Sequence, residues 1–247
     1  MAFGYDADGL LTSAGTLTLS RDAANGLLLD STLAGVTDGW SYNAFGEVMT
    51  YTASHGGTPL LALTYTRDDA GRITAITSGT STRGYEYDLA GRLTRVTESG
   101  APIAEYDYDA NSNRTAHRYS GGSSSATYDD QDRLLTFGSV SYTYTENGER
   151  KTKTAGALTT TYMHDALGNL TQVALGNGIT IEYILDGRSR RIGKKVNGIL
   201  VQGFLYEDQL RPVAELDGTG ALVSRFVYAE KPNVPEYIIR GANAYRL

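Results

Sequence analysis

The chain has no cysteine, one tryptophan, five prolines and three histidines in 247 residues. Without thiols there is no disulfide or thiolate metal site, and redox chemistry says nothing of the compartment. The histidines, His55, His117 and His164, stand far apart and share neither metal-ligand nor triad spacing. No stretch approaches the ~18 apolar residues of a membrane-spanning helix. The 22 basic residues are scattered among 28 acidic ones, clustering only at Lys151-Thr152-Lys153 and between Arg188 and Lys195. Nucleic-acid binding wants a basic stripe with interleaved aromatics, so it is set aside. The first residues, Met1-Ala2-Phe3-Gly4-Tyr5, hold neither the basic segment nor the apolar core of a signal peptide. No segment sustains apolar residues at helical spacing for three turns, so very little helix is expected.

Glycine (29) and tyrosine (18, against five phenylalanines) are abundant. Tyrosine suits a pleated strand, where the ring is buried and the hydroxyl stays near water. Both residues belong to a recurring signature. Its clearest copy is Tyr87-Asp88-Leu89-Ala90-Gly91-Arg92-Leu93-Thr94. Related copies place Tyr5, Asp6 and Gly9; Asp68, Gly71 and Arg72; Tyr108 and Asp109; Tyr128, Asp129 and Arg133; and Asp165 and Gly168 at matching positions. With the aspartate as a ruler, the copies fall at 22, 43 (Asn), 68, 88, 109, 129, 145 (Thr), 165 and 186. A near-constant period of this size means one supersecondary unit stacked many times.

Each unit reads as strand, tight turn, strand. Alternation before the aspartate puts Tyr85 and Tyr87, Tyr106 and Tyr108, and Tyr142 and Tyr144 on a common face. The aspartate opens the turn by accepting backbone N–H groups, and the glycine takes a positive φ. Asp68–Arg72, Asp88–Arg92 and Asp129–Arg133 straddle their turns as ion pairs. Second turns are expected at Ser99-Gly100, Asn147-Gly148, Asn197-Gly198 and Asp217-Gly218. Residues 191–206 read as a nearly ideal hairpin. Pro59 and Pro102 are expected in hairpin loops, and Pro232 and Pro235 in a C-terminal extension. Gly121-Gly122-Ser123-Ser124-Ser125 reads as a loop tip. The fold class is all-β: a spiral of antiparallel β-hairpins, coiled because strand twist forbids a flat ribbon.

No catalytic, cofactor or metal site emerges. Asp107, Asp109, Asn111 and Asn113 follow the start of a calcium-loop ladder, but Ser112 and Arg118 occupy its glycine and glutamate positions. Asp68-Asp69 and Asp129-Asp130 are adjacent carboxylates that face opposite ways in a strand. Asn113-Arg114-Thr115 and Asn169-Leu170-Thr171 are formal glycosylation sequons in turn-rich segments. The tyrosines Tyr85, Tyr87, Tyr106, Tyr108, Tyr142 and Tyr144 form the one candidate ligand face, suited to stacking on sugars.

The Tyr-Asp-x-x-Gly-Arg-Leu-Thr unit resembles the YD repeat of the RHS proteins, relatives of the toxin-complex C components and of teneurins. The resemblance covers essentially the whole chain. It implies a β-sheet shell around a variable C-terminal toxin that is released by self-cleavage. The tail, Leu210-Arg211-Pro212-Val213-Ala214-Glu215-Leu216-Asp217 followed by residues 222–228, is similar to the lead into the RHS core. The chain holds no Asp-Pro pair, so the family's self-cleaving element is not found. The expected organisation is a YD-repeat β-sheet array over 1–228 and a C-terminal extension over 229–247. The expected role is a structural shell segment, not an enzyme. It would enclose or present the C-terminal effector of a bacterial, secreted or surface-delivered parent. A glycan-binding module is the alternative, and a glycoside-acting enzyme with carboxylates from several repeats is third. Open strand edges favour self-association.

Overall fold

The computed structural model describes residues 2–231 and 233–247, which form strands and turns with no helix among them. Among the described residues, twenty-five strands run from Phe3–Tyr5 to Asn243–Arg246. They fall into two units. One comprises Met1–Tyr106, Val227–Ile238 and Asn243–Leu247; the other comprises Asp107–Phe226 and Ile239–Ala242.

Inside each unit the strands pair antiparallel with their sequence neighbours. In the first, Val36–Tyr42, Val48–His55, Thr58–Arg67 and Ile73–Ser78 pair in succession. In the second, Val140–Tyr144, Arg150–Ala155, Leu158–His164 and Leu170–Ala174 do the same. Two kinds of turn alternate through most of the ladder. Short turns close one end, some with positive φ at both residues, as at Ser99-Gly100 (φ 49 and 87) and Asn197-Gly198 (φ 48 and 80), and others only at a leading glycine, as at Gly79 (φ 58) and Gly156 (φ 59). Such turns match the right-handed strand twist. The hairpin read from residues 191–206 is present as Arg191–Val196 paired with Ile199–Tyr206. The signature turns close the other end. Each shifts the register by one residue at its first strand's last position, so Tyr87 faces Leu93 while Glu86 faces Arg95.

Four local expectations need correction. Asn147-Gly148 is the tail of a signature turn opened by Thr145, whose carbonyl accepts the Gly148 amide at 3.1 Å. Asp217 likewise opens a signature turn, and its positive φ falls on Gly220. Residues 122–125 are not a loop tip; they begin the strand Gly122–Tyr128, register-paired with residues 116–119. Small serines satisfy a ladder as well as any residue, so low complexity did not mean a loop. Pro59 and Pro102 sit second in the strands Thr58–Arg67 and Ala101–Tyr108, each beside a register slip that spares the missing N–H. Pro232 lies outside the described residues.

The two faces of the ladder differ. Signature tyrosines share one, half-buried. The other carries unbroken rows of hydroxyls across five consecutive strands. Ser13, Thr18, Thr32, Thr37 and Ser54 form one row. Ser41, Thr50, Thr64, Thr77 and Thr82 form a second. Thr127, Thr136, Ser141, Thr154 and Thr159 form a third, in the second unit. Cross-strand Thr pairs such as Thr127–Thr136 (2.6 Å) add to the backbone ladder.

Burial is thin. The chain leaves 14866 Å² accessible, where a close-packed monomer of this 26.6 kDa mass exposes roughly 10,700 Å². Among the described residues, the buried apolar side chains Ala14, Leu17, Leu19, Leu33, Val96, Val227 and Tyr237 belong to the first unit, and Ala126, Val173 and Ala214 to the second.

Candidate functional site

The signature turn is the repeated polar site, and it uses every polar atom of its aspartate. Asp88 Oδ1 accepts the backbone N–H groups of Ala90 and Arg92, both at 2.9 Å. Oδ2 accepts Arg92 Nε at 2.7 Å. The Asp88 amide bonds the Arg92 carbonyl (2.9 Å), and the Gly91 amide bonds the Asp88 carbonyl (3.0 Å). Gly91 stands at φ 81, as this turn with its following bulge requires. Asp68–Arg72, Asp129–Arg133 and Asp186–Arg190 repeat the pattern. Where glycine is replaced, Ser112, Asp132 and Ser189 take the same positive φ (70, 59 and 61).

The fifth turn residue answers the first. Asp165 and Asp109 are met by Asn169 and Asn113, which donate from Nδ2. Asn43 and Thr145 can themselves donate, and there the partner becomes Glu47 or Glu149. That exchange of donor for acceptor is present in the residue types and escaped the sequence reading.

The N–H groups and guanidinium around each carboxylate favour its charged form. Asp88 is held below the ordinary carboxylate range, first by the Arg92 amide and then by its side chain. Asp68, Asp129 and Asp186 are lowered too. Asp208 falls to about 2, led by the Leu210 amide. Unfolded aspartates titrate near 3.9, above these folded values. This stabilisation is therefore complete above the unfolded value and lost as pH falls through the folded ones. Thermal melts should show a Tm that is flat above about pH 5 and declines from about pH 4 toward 2.

The signature tyrosine connects one turn to the next. Tyr87 donates to the Ile73 carbonyl (2.7 Å), at the first residue of the strand leaving the preceding turn. Tyr42, Tyr128 and Tyr206 donate to Leu28, Arg114 and Arg191 at the same relative place. The preceding turn's arginine lies over the ring: Arg72 is 4.8 Å from the Tyr87 centroid and Arg190 is 5.0 Å from that of Tyr206. Aspartate, arginine and the next tyrosine thus form a repeating relay. Arg21 and Arg67 replace tyrosine at this position and reach the equivalent carbonyls, Leu11 and Val48. Tyr87→Phe should cost about 0.5–1.5 kcal/mol in urea unfolding, because the Ile73 carbonyl loses its donor.

Of the candidate ligand face, Tyr85, Tyr87 and Tyr106 lie in the first unit and Tyr108, Tyr142 and Tyr144 in the second. All six are half-buried, and Glu86, Asp107 and Thr143 between them are exposed. The Tyr144 hydroxyl donates to Leu134 O (2.8 Å), and Arg150 lies between the rings of Tyr142 and Tyr162, 5.5 and 5.4 Å from their centroids. Tyr5 is exposed beside the Asp6–Gly9 turn. In the calcium-like ladder, Asp107 binds Arg118 through both oxygens (2.5 and 2.7 Å). Asn111 and Asn113 donate to Asp132 (3.0 and 2.6 Å).

A second polar cluster, in the first unit, was not legible in the sequence. Asp38, 3 % exposed, accepts from Ser31 (3.1 Å), Tyr51 (2.7 Å) and Arg246 Nε (2.9 Å). Arg246 also pairs with buried Glu236. Burial pushes the Tyr51 hydroxyl up to about 12, aided by its bond to Asp38. Burial alone would lower Arg246, but the Glu236 and Asp38 bonds outweigh it and raise its pKa. Tyr237, 1 % exposed, donates to the Ala14 carbonyl (2.9 Å). A cavity of about 340 Å³ adjoins this cluster, with Trp40, Tyr51 and Tyr65 on one wall.

The Teneurin YD-shell family matches residues 1–247. Teneurin-3 of Mus musculus is 30% identical over 161 residues, covering 61% of this chain and 6% of that protein. The tRNA3(Ser)-specific nuclease WapA of Bacillus spizizenii is 29% identical over 161 residues, covering 63% of this chain and 7% of its own length. The chain therefore spans a small fraction of these relatives. Among solved structures, the Photorhabdus luminescens Tc holotoxin pore shares the fold at a TM-score of 0.51 and 14% identity, covering 92% of this chain and 16% of that one. With the signature turns, their relay and a match over its full length, the chain belongs to the YD-repeat family of RHS and teneurin shells.

Proposed function

We propose that this chain is a structural shell segment of an RHS-type protein, enclosing or presenting a C-terminal effector. The observation that carries this reading is how the repeat spends its chemistry. The signature carboxylates accept from their own turns, and the relay tyrosines donate to backbone carbonyls of the preceding repeat. Such a unit holds backbone in place and leaves the chemistry to another part of the protein. A relative named as a nuclease, matched over only 7% of its length, is compatible with that division.

Limited proteolysis of a protein carrying these repeats followed by its C-terminal polypeptide tests the reading. The polypeptide should resist cleavage until the repeats are cut, and should lose protection when signature turns are disrupted. Cleavage as fast as in the isolated polypeptide would overturn the reading. Glycan binding takes second place, since on the candidate face the Tyr87 and Tyr144 hydroxyls are committed to backbone carbonyls and not free for a sugar.

A further inference from the structure

The signature turns do not account for the polar cluster at Asp38, Glu236 and Arg246. We propose that the cavity beside it binds a small alkylammonium ion, held against the rings of Trp40, Tyr51 and Tyr65 with Glu236 as its counter-charge.

The three rings line one side of the cavity, whose volume of about 340 Å³ lies at the small end of the range for ligand sites. Trp40 and Tyr51 are register partners on adjacent strands, with ring centroids 5.5 Å apart and planes at 44°. Tyr65 comes from the next strand, Thr58–Arg67. A cation over such a ring face is attracted by the ring quadrupole, most strongly for tryptophan, and alkyl groups on the nitrogen lower the cost of taking it out of water. The Tyr51 hydroxyl donates to Asp38 at 2.7 Å, which polarises that ring toward greater electron density.

Charge selects the sign of the ligand. Asp38 and Glu236 share the single guanidinium of Arg246, so this largely buried cluster holds one negative charge in excess. The side-chain bond described for Glu236 uses Oε2, and among the described residues no donor reaches Oε1. A carboxylate 6 % exposed, with an oxygen uncommitted beside aromatic rings, is costly unless a cation joins them. This wall is set in place: the Glu236 amide bonds the Val227 carbonyl at 2.7 Å, and Arg246 ends the strand Asn243–Arg246. Lys231 also borders the cavity, but it is exposed and has no ion-pair partner among the described residues. Its flexible stem lets the ammonium stay in water at the rim. All of these residues belong to the first unit.

Trp40 is the only tryptophan, so its indole N–H gives a single NMR signal that reports the cavity. Choline titrated into the full chain should shift that signal saturably, with a Kd of about 1 mM or lower. Its uncharged carbon isostere, 3,3-dimethylbutan-1-ol, should bind at least about five-fold more weakly. Lys231→Gln, a change at an exposed side chain, should tighten choline about two-fold by removing a repelling charge. The absence of a saturable shift at about ten times the expected Kd would overturn the proposal. Equal binding of the isostere would also overturn it, showing an apolar cavity with no preference for charge. So would weaker choline binding in Lys231→Gln, because a cation balanced by Glu236 gains nothing from a second cation nearby.

Discussion

Replacing Arg246 by alanine is expected to cost about 3–5 kcal/mol in the urea transition seen by Trp40, the largest effect of any single ion-pair change in this chain. Asp38 and Glu236 are 3 % and 6 % exposed, so both carboxylates lose their cation while largely shielded from bulk water. The cost is that of two like charges left unneutralised at a largely buried site. It is not the net value of the pair, since bringing three charged groups out of water already offset much of their attraction. A second variant separates the two ideas. Asp38→Asn, Glu236→Gln and Arg246→Met together remove all three charges and keep similar volumes. Tyr51 donates to Asp38 Oδ1 and Ser31 to Oδ2, so the amide introduced at position 38 can keep its oxygen toward Tyr51 and donate from its NH2 to the Ser31 hydroxyl. This triple change should come within about 1.5 kcal/mol of the unaltered chain. If it is as damaging as Arg246→Ala, the charges hold the C-terminal segment to Asp38 by net attraction and the desolvation argument is wrong.

Gly91→Val is expected to cost about 2–3 kcal/mol in thermal or urea unfolding, and Gly91→Asn less than about 1 kcal/mol. Space is not the reason. A Cβ on Gly91 would meet only Arg72 Nη1, at 3.6 Å, an ordinary contact. The reason is φ 81, where a β-branched side chain strains its own backbone and asparagine does so least among larger residues. The chain supplies its own controls, since Ser112, Asp132 and Ser189 already hold that conformation in sister turns. Equal costs for Val and Asn would show that the turn needs room, and that positive φ is incidental.

Most of the ladder was legible because its causes are local. Period-two alternation, an acceptor at the turn's first residue and glycine three residues later are written in each repeat and reinforce one another. Misreadings arose where one local signal served two purposes. Asn147-Gly148 looks like a two-residue hairpin turn, but Thr145 two residues before it opens a signature turn, and the register follows the longer turn. The run at 121–125 has loop composition, yet its neighbour strand offers a ladder that the serines complete. Arg21 and Arg67 were missed as stand-ins for tyrosine, because the rule concerns a donor reaching a carbonyl and does not require an aromatic ring.

The cluster at Asp38 was illegible for a different reason. Its cationic partner lies 208 residues away, and nothing local marks an aspartate in Val36–Tyr42 as buried. Only the return of the C-terminal segment to the first unit brings them together. Within the strand, Asp38 alternates correctly but sits where a repeat would place an apolar side chain.

The most direct test of the account is residue-resolved amide exchange by NMR on the full chain. In most signature turns the fifth residue donates its amide to the first residue's side chain, as Arg72, Arg92, Asn113, Arg133, Asn169 and Arg190 do. These amides should all be protected to a similar degree, although they stand at an exposed sheet end where exchange is usually fast. Protection restricted to one or two copies, with the others exchanging as free loops do, would contradict a repeat built on one turn chemistry.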